Sequence, residues 1–297
     1  MSEAIVVRAE GLTKRLGETD AVHDLSFDVR EGAVFGLVGR NGAGKTTTLR
    51  MLLGLLRPDA GRSTVFGEDS LDLSAAARRR IGYLSEEEFP YADLPVPELL
   101  EWLSAFFPAW DWDRAERWVK RFDVSRSKLL NEMSKGERRR AELILVLAQD
   151  PDLLVLDDPA LGLDATVRRD FLTAALEMAR DDGKTVLFTS HVLTDVERVV
   201  DTVAFLERGA LRSCGALDDV KARTKRIVLP GAAAADVVVP GEVRRRKDGR
   251  DLVVVTEAFG PALEATLRAK HPSLEVEDLN LEEIFVEVLG RPDEASA

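Results

Sequence analysis

The sequence is poor in cysteine, in long apolar runs and in net positive charge. Cys214 is its single cysteine, so no internal disulfide can form and a cytosolic address fits. No stretch reaches about 18 uninterrupted apolar residues, so no transmembrane helix is expected. The opening Met1-Ser2-Glu3-Ala4 lacks the basic start and apolar run of a secretion signal. Lysine and arginine total 41 against 53 aspartates and glutamates, a net charge of −12. That balance argues against a broad nucleic-acid footprint. Heptads are also missing. What is present is 32% charged and 45% hydrophobic residues over 297 positions. This is the balance of a soluble globular chain with room for one large domain and a small one. Basic runs at Arg78-Arg79-Arg80, Arg138-Arg139-Arg140 and Arg244-Arg245-Arg246-Lys247 read as solvated helix or hairpin faces.

One stretch organises the rest: Gly39-Arg40-Asn41-Gly42-Ala43-Gly44-Lys45-Thr46-Thr47. It follows the apolar run Ala33–Val38 and precedes helically spaced Leu49, Leu52, Leu53 and Leu56. Strand, glycine-rich turn and helix form the context that the phosphate-binding pattern G-x-x-x-x-G-K-[ST] requires. Gly39, Gly42 and Gly44 allow positive φ and close backbone approach. Loop amides and the helix N-terminus then converge on phosphate oxygens. Lys45 supplies a point charge for the β- and γ-phosphates, and the Thr46 hydroxyl completes a Mg²⁺ shell.

Around this loop, Ile5–Val7, Leu25–Val29 and Val34–Val38 read as short strands, an antiparallel opening separated by turns at 16–18 and 30–32. Ser63–Phe66 and Ile81–Leu84 read as strands, with a short helix over Ser74–Arg80 between them. Residues 96–150 look helical. Leu99, Trp102, Leu103, Phe106 and Phe107 form one amphipathic stripe. All the tryptophans lie between Trp102 and Trp118. They either form the core of a small helical subdomain or leave rings exposed for a partner helix. Leu153–Leu156 followed by Asp157-Asp158 describes a doubly buried parallel strand with carboxylates at its ligand-binding end. A helix over Ala165–Arg180 follows, then a strand Thr185–Thr189 ending in Ser190-His191, and a helix from Val192 to about Val200. From about Thr224 come strands at Arg226–Leu229, Leu252–Thr256 and Leu274–Val276, and helices at Pro261–Lys270 and 281–289; Arg291–Ala297 is expected to fray.

Taken in order, these motifs resemble the nucleotide-binding subunit of an ABC transporter over roughly residues 4–222. Met133-Ser134-Lys135-Gly136-Glu137 sits at the family's signature position, Asp157-Asp158 at the Walker B end, Gly162-Leu163-Asp164 at the D-loop, His191 at the switch histidine and Glu86 at the Q-loop. The resemblance implies an α/β P-loop NTPase of ABC type: a mixed sheet core, an antiparallel β subdomain and a helical subdomain at about 90–150. Residues 1–222 would be that domain and 223–297 a small α+β extension. The ending at 279–285 resembles the extension of drug-, antibiotic- and lipid-export ATPases. The implied function is ATP binding and hydrolysis driving a separately encoded membrane permease from the cytoplasmic face, as a head-to-tail homodimer or heterodimer with ATP at the interface. By the same resemblance Asp157 holds Mg²⁺ with Thr46 and Glu86, Asp158 acts as general base, His191 senses the γ-phosphate, and Ser134, Lys135, Gly136, Glu137 and Asp164 face nucleotide across the dimer. Ser134 and Glu137 also match a plain capping box.

The chain departs from the family pattern in several places. Asp158 replaces the usual glutamate and is shorter by one bond, about 1.5 Å; either hydrolysis is slow, or a shifted backbone or an extra water compensates. Leu16 stands where an aromatic stacks on adenine. Arg40 replaces a proline and either adds a cationic contact or points to solvent. Lys135 and Glu137 alter the signature. Two rival readings remain: a subunit that holds ATP without splitting it, and a soluble ATPase acting on ribosomes or DNA. Members of the latter kind carry two cassettes or a long coiled coil, and this chain has neither.

Overall fold

The computed structural model describes residues 4–87, 89–159, 183–231 and 237–290, with residues 168, 169, 172–174, 176, 177 and 179. The chain forms two compact units, Met1–His191 with Leu206–Leu211, and Val192–Phe205 with Arg212–Ala297. No helix among the described residues is long and apolar enough to cross a membrane.

In the first unit, β1 (Ile5–Leu16) and β2 (Thr19–Arg30) form an antiparallel hairpin closing at Leu16 and Thr19. Both strands are far longer than the short runs expected. Register shifts between Ala9 and Leu12 and between Leu12 and Lys14 are bulges that break the alternation a strand reading depends on. β3 (Val34–Gly39), buried at every position, runs into α1 (Lys45–Leu52). β4 (Ala60–Val65) returns to pair antiparallel with β1, and β5 (Glu68–Asp69) pairs with β4. α2 (Ala75–Arg79) starts at Ser74, whose Oγ accepts from the Ala77 amide.

β6 (Ile81–Leu84) precedes a helical region of α3 (Val96–Ser104), α4 (Trp112–Arg121) and α5 (Lys135–Leu147). The single stripe expected over 99–107 divides there. α3 ends at Ser104, and Phe106 and Phe107 lie in the turns that lead to Pro108, a residue that disfavours helix in front of it. Leu99 is buried, whereas Trp102 and Trp112 are 44% and 47% exposed and Phe106 is 52% exposed. Of the two readings of the tryptophans, the exposed one holds for Trp102 and Trp112. β7 (Leu153–Leu156) and β8 (Thr185–Ser190) complete a parallel arrangement in the order β3-β8-β7-β6. Its strands are almost wholly apolar, as two covered faces require. The helix expected over 165–180 lies largely outside the described residues.

In the second unit, α6 (Leu193–Val196) is shorter than the helix expected to reach Val200. The Arg198 and Val199 amides bond back three residues, to Asp195 and Val196 carbonyls, so the α pattern tightens into turns. β9 (Thr202–Glu207) and β10 (Ala210–Ala216) are joined by a stretch that counts with the first unit. α7 (Leu217–Arg223) contains position 222, the boundary expected from sequence. β11 (Lys225–Leu229), β12 (Glu242–Asp248), β13 (Asp251–Thr256), α8 (Pro261–Lys270), β14 (Glu275–Asp278) and α9 (Leu281–Leu289) follow. The strands pair antiparallel in the order β12-β13-β11-β14 over a core that includes Ile227, Val254, Leu267 and Leu274. The basic run at 244–247 is a solvated face only in part: Arg246 and Lys247 are exposed, Arg244 and Arg245 half-buried. Arg244, Arg246 and Arg226 converge on Glu287 of α9, whose side chain is 6% exposed. The ending 291–297 lies outside the described residues.

Candidate functional site

The turn after β3 is shaped by its glycines. Gly42 and Gly44 take φ of 78° and 101°, a region that costs other residues strain. Gly39 is needed for a different reason: a Cβ there would lie 2.5 Å from the Leu206 carbonyl oxygen. α1 starts at Gly44 with no side-chain cap and no acid in its first turn, so its amides stay open to an anion. Lys45 is buried and its Nζ donates to the carbonyls of Gly39 at 2.8 Å and Arg40 at 3.2 Å. Burial pushes its pKa below the usual lysine value, against the pull of Asp158, Asp157 and Glu86.

Opposite Lys45, the ends of β7 and β8 present a polar group. Asp157 Oδ1 accepts from Thr46 Oγ1 at 3.1 Å and from Thr189 Oγ1 at 2.8 Å. Asp157 Oδ2 is buried and makes no hydrogen bond among the described residues. Burial raises the Asp157 pKa, against the lowering effect of the Thr189 and Thr46 bonds. A carboxylate with a spare buried oxygen beside a hydroxyl is a hard oxygen donor set that fits Mg²⁺ completed by phosphate and water. Asp158 sits at φ 40°, a left-handed conformation that aspartate tolerates better than most residues. Its amide donates to Thr189 Oγ1 at 2.8 Å. His191 Nδ1 lies 2.6 Å from Asp158 Oδ2, and Asp158 Oδ1 is buried without a partner among the described residues.

The loop and the carboxylates line one cleft of about 480 Å³, with Asn41, Gly42, Gly44, Lys45, Thr46 and Thr47 on one side and Glu86, Asp157 and Asp158 on the other. Leu16, 47% exposed, forms part of its rim with Thr19 and Ala21. Thus the structure brings together most of the residues expected from the phosphate loop, the Walker B end and the Q-loop. Arg40 and Ala43 lie in the loop but are not among the residues lining the cleft. Asp164 lies outside the described residues.

Ser134 and Glu137 form the capping box foreseen for α5. The Ser134 amide donates to Glu137 Oε2 at 2.8 Å, and the Glu137 amide donates to Ser134 Oγ at 3.3 Å. The Ser134 amide, then its hydroxyl and Lys128, hold the Glu137 carboxyl at about 2. Ser134 and Lys135 are exposed, and Ser134, Lys135, Gly136 and Glu137 are not among the residues lining the cleft.

Two residues of this region escaped the sequence reading. Thr189 bridges Asp157 and Asp158; the signal was its place two residues before His191 on a strand that ends beside them. Arg139 was taken for part of a solvated basic face. Its side chain is instead 11% exposed, and its guanidinium donates to the Ser85, Asp157 and Pro159 carbonyls. Nothing in the spacing of Arg138-Arg139-Arg140 separates the buried member from its neighbours.

The sequence profile of the family described as ABC transporter matches residues 22–161. Nod factor export ATP-binding protein I of Ralstonia nicotianae is 38% identical, over 69% of this chain and 65% of its own length. The bacitracin transport ATP-binding protein of Bacillus licheniformis is 31% identical, over 74% and 73%. A solved ATP-binding subunit of an ABC transporter superposes with a TM-score of 0.66 at 26% identity, covering 73% of this chain and 92% of that one. The chain spans 58% of the length of one further curated relative and 38% of another.

Proposed function

The chain belongs to the ATP-binding proteins of the ABC transporter family, and from that premise we propose that it binds Mg²⁺–ATP and hydrolyses it to drive a separate membrane permease. The observation that carries this reading is the pairing of Thr46 Oγ1 with Asp157 Oδ1 at 3.1 Å beside the spare, buried Asp157 Oδ2, at the first turn of α1 where its amides are open. The loop amides and Lys45 hold the phosphates; Lys45 exchanges its two carbonyl partners for phosphate oxygens. Thr46, Asp157 and Glu86 would hold Mg²⁺, which supplies charge neutralisation at the β- and γ-phosphates. Asp158 Oδ1 takes a proton from the attacking water while His191 Nδ1 keeps Oδ2 in place. The water oxygen bonds to the γ-phosphorus as the bond to the β-phosphate oxygen breaks, giving ADP and phosphate.

The working unit is a head-to-tail pair, in which Ser134 and Lys135 of one copy or relative meet the γ-phosphate held by the other. The exposed Tyr91, Trp102 and Phe106, packed ring to ring at 5.0 and 5.1 Å, suit a permease helix. Export is favoured by the C-terminal resemblance and by the export role that the name of the Nod factor relative carries. Residues 1–222 are assigned as the ATP-binding domain and 223–297 as the extension.

The test is phosphate release by the full chain with Mg²⁺ and ATP, alone and with its permease, against Lys45→Ala. Release at least about 100-fold above that variant is expected from an operating general base and phosphate cradle. Equal release in both defeats hydrolysis. A second reading, ATP held without splitting, is favoured by the short Asp158 side chain already engaged by His191 at 2.6 Å. Tight ATP binding with no phosphate release would select it.

A further inference from the structure

Resting on the ATP-binding reading of the cleft, we propose that Arg139 is a positioning residue that fixes the carboxylate end of the site to helix α5. Its donors leave in several directions. Nη1 donates to the Ser85 carbonyl at 2.6 Å and to Glu142 Oε2 at 3.0 Å. Nη2 donates to the Asp157 carbonyl at 3.3 Å, and Nε to the Pro159 carbonyl at 3.4 Å. Ser85 immediately precedes Glu86, and Asp157 and Pro159 flank Asp158. One planar group therefore holds the backbone beside every carboxylate that lines the cleft.

The arrangement is built to be buried. The side chains of Arg139 and Glu142 are 11% and 6% exposed. A buried guanidinium is tolerated when an opposite charge and further hydrogen bonds satisfy it. Glu142, three positions along the same helix, supplies the charge; the three carbonyls supply the rest. Lysine could match the charge, but not the flat fork that reaches several acceptors at once. Arg139, Glu142, Glu86 and Asp158 also border one further cavity of about 310 Å³.

The consequence is mechanical. α5 opens with the Ser134 cap, and Arg139 lies five residues further along the same rigid rod. An α5 drawn toward a phosphate at its N-terminus carries the guanidinium with it. The Ser85 and Asp157 carbonyls, and with them Glu86 and Asp157, follow. Arg139 thereby makes the geometry of the acids depend on the position of the signature helix.

The test measures affinity for a fluorescent ATP analogue with and without Mg²⁺, using the full chain. The variants are Arg139→Lys and the double change Arg139→Gln with Glu142→Gln, which leaves no unpaired buried charge. Groups that orient ligand-bearing side chains typically matter by about 10–100-fold. Both variants are expected to lose at least about tenfold of the Mg²⁺-dependent gain while their Mg²⁺-free affinity stays within about twofold of wild type. An unchanged Mg²⁺ gain in both variants overturns the proposal. So does a parallel fall of Mg²⁺-free affinity and thermal midpoint, which marks a scaffold role, and so does a wild type indifferent to Mg²⁺. A wild type that shows the Mg²⁺ gain yet releases no phosphate removes only the hydrolysis reading.

Discussion

Glu137 shows how one carboxylate can fix the start of a helix. Its carboxyl is held at about 2, below the ordinary 4.5, chiefly by the Ser134 amide. Because the folded value is the lower one, the ionised carboxylate favours the folded helix start. Its contribution is complete above pH 4.5 and is lost as pH falls toward 2. The difference in thermal midpoint between wild type and Glu137→Gln should therefore be present at pH 7 and shrink through that window in a pH series of melting curves. A constant difference would place the stabilisation elsewhere. The cap could be foreseen because both partners lie within one turn. Lys45, Thr46 and Asp157 could be singled out because each sits in a recognisable local pattern, the glycine-rich turn or the apolar run ending in two acids. Thr189 and Arg139 were not, since they act on residues 32 and 18 positions away. The Thr189 partnership exists only once Leu156 lies beside Phe188 in parallel register, which no local pattern states.

At the level of elements, the parallel strands were readable because covering both faces leaves them mostly apolar, with Thr185, Thr189 and Ser190 of β8 the polar exceptions. The hairpin of β1 and β2 was underread because its bulges interrupt alternation. The second unit hides a different device. α9 buries Leu281, Ile284 and Phe285 as its spacing requires, but it also buries Glu287 among Arg226, Arg244 and Arg246. The arginine positions read as surface charge because their partner lies about 40 residues further on. Removing the carboxylate takes away the anion these arginines share, although Arg226 keeps Glu277, a loss of about 1.5–3 kcal/mol for charge-assisted hydrogen bonds. Glu287→Ala should lower the denaturant midpoint accordingly, and Glu287→Gln, which keeps an acceptor, should lower it less. Equal and small effects from both would show that the cluster is solvated in practice.

For the molecule as a whole, the proposed head-to-tail pair makes a direct prediction. Asp158→Asn, which should bind ATP without turning it over, is expected to run with Mg²⁺ and ATP in size-exclusion chromatography with light scattering at twice the 32.7 kDa of one chain. Lys135→Glu in that background, at an exposed position that the proposed pair sets against the neighbour's phosphate, should leave the single-chain mass at every nucleotide concentration. Pairing without nucleotide, or pairing indifferent to Lys135, would remove the clamp from the proposed function. The division into two units has a consequence of its own. The first unit draws on Leu206–Leu211 as well as on everything through His191; the Gly209 carbonyl accepts from the His23 amide and the Gly209 amide donates to Ala43. A nascent chain emerging from the ribosome thus cannot lock its phosphate loop in place when His191 appears. It must wait for the stretch after Phe205, by which time part of the second unit has already been synthesised, so the order of translation and the order of assembly are interleaved.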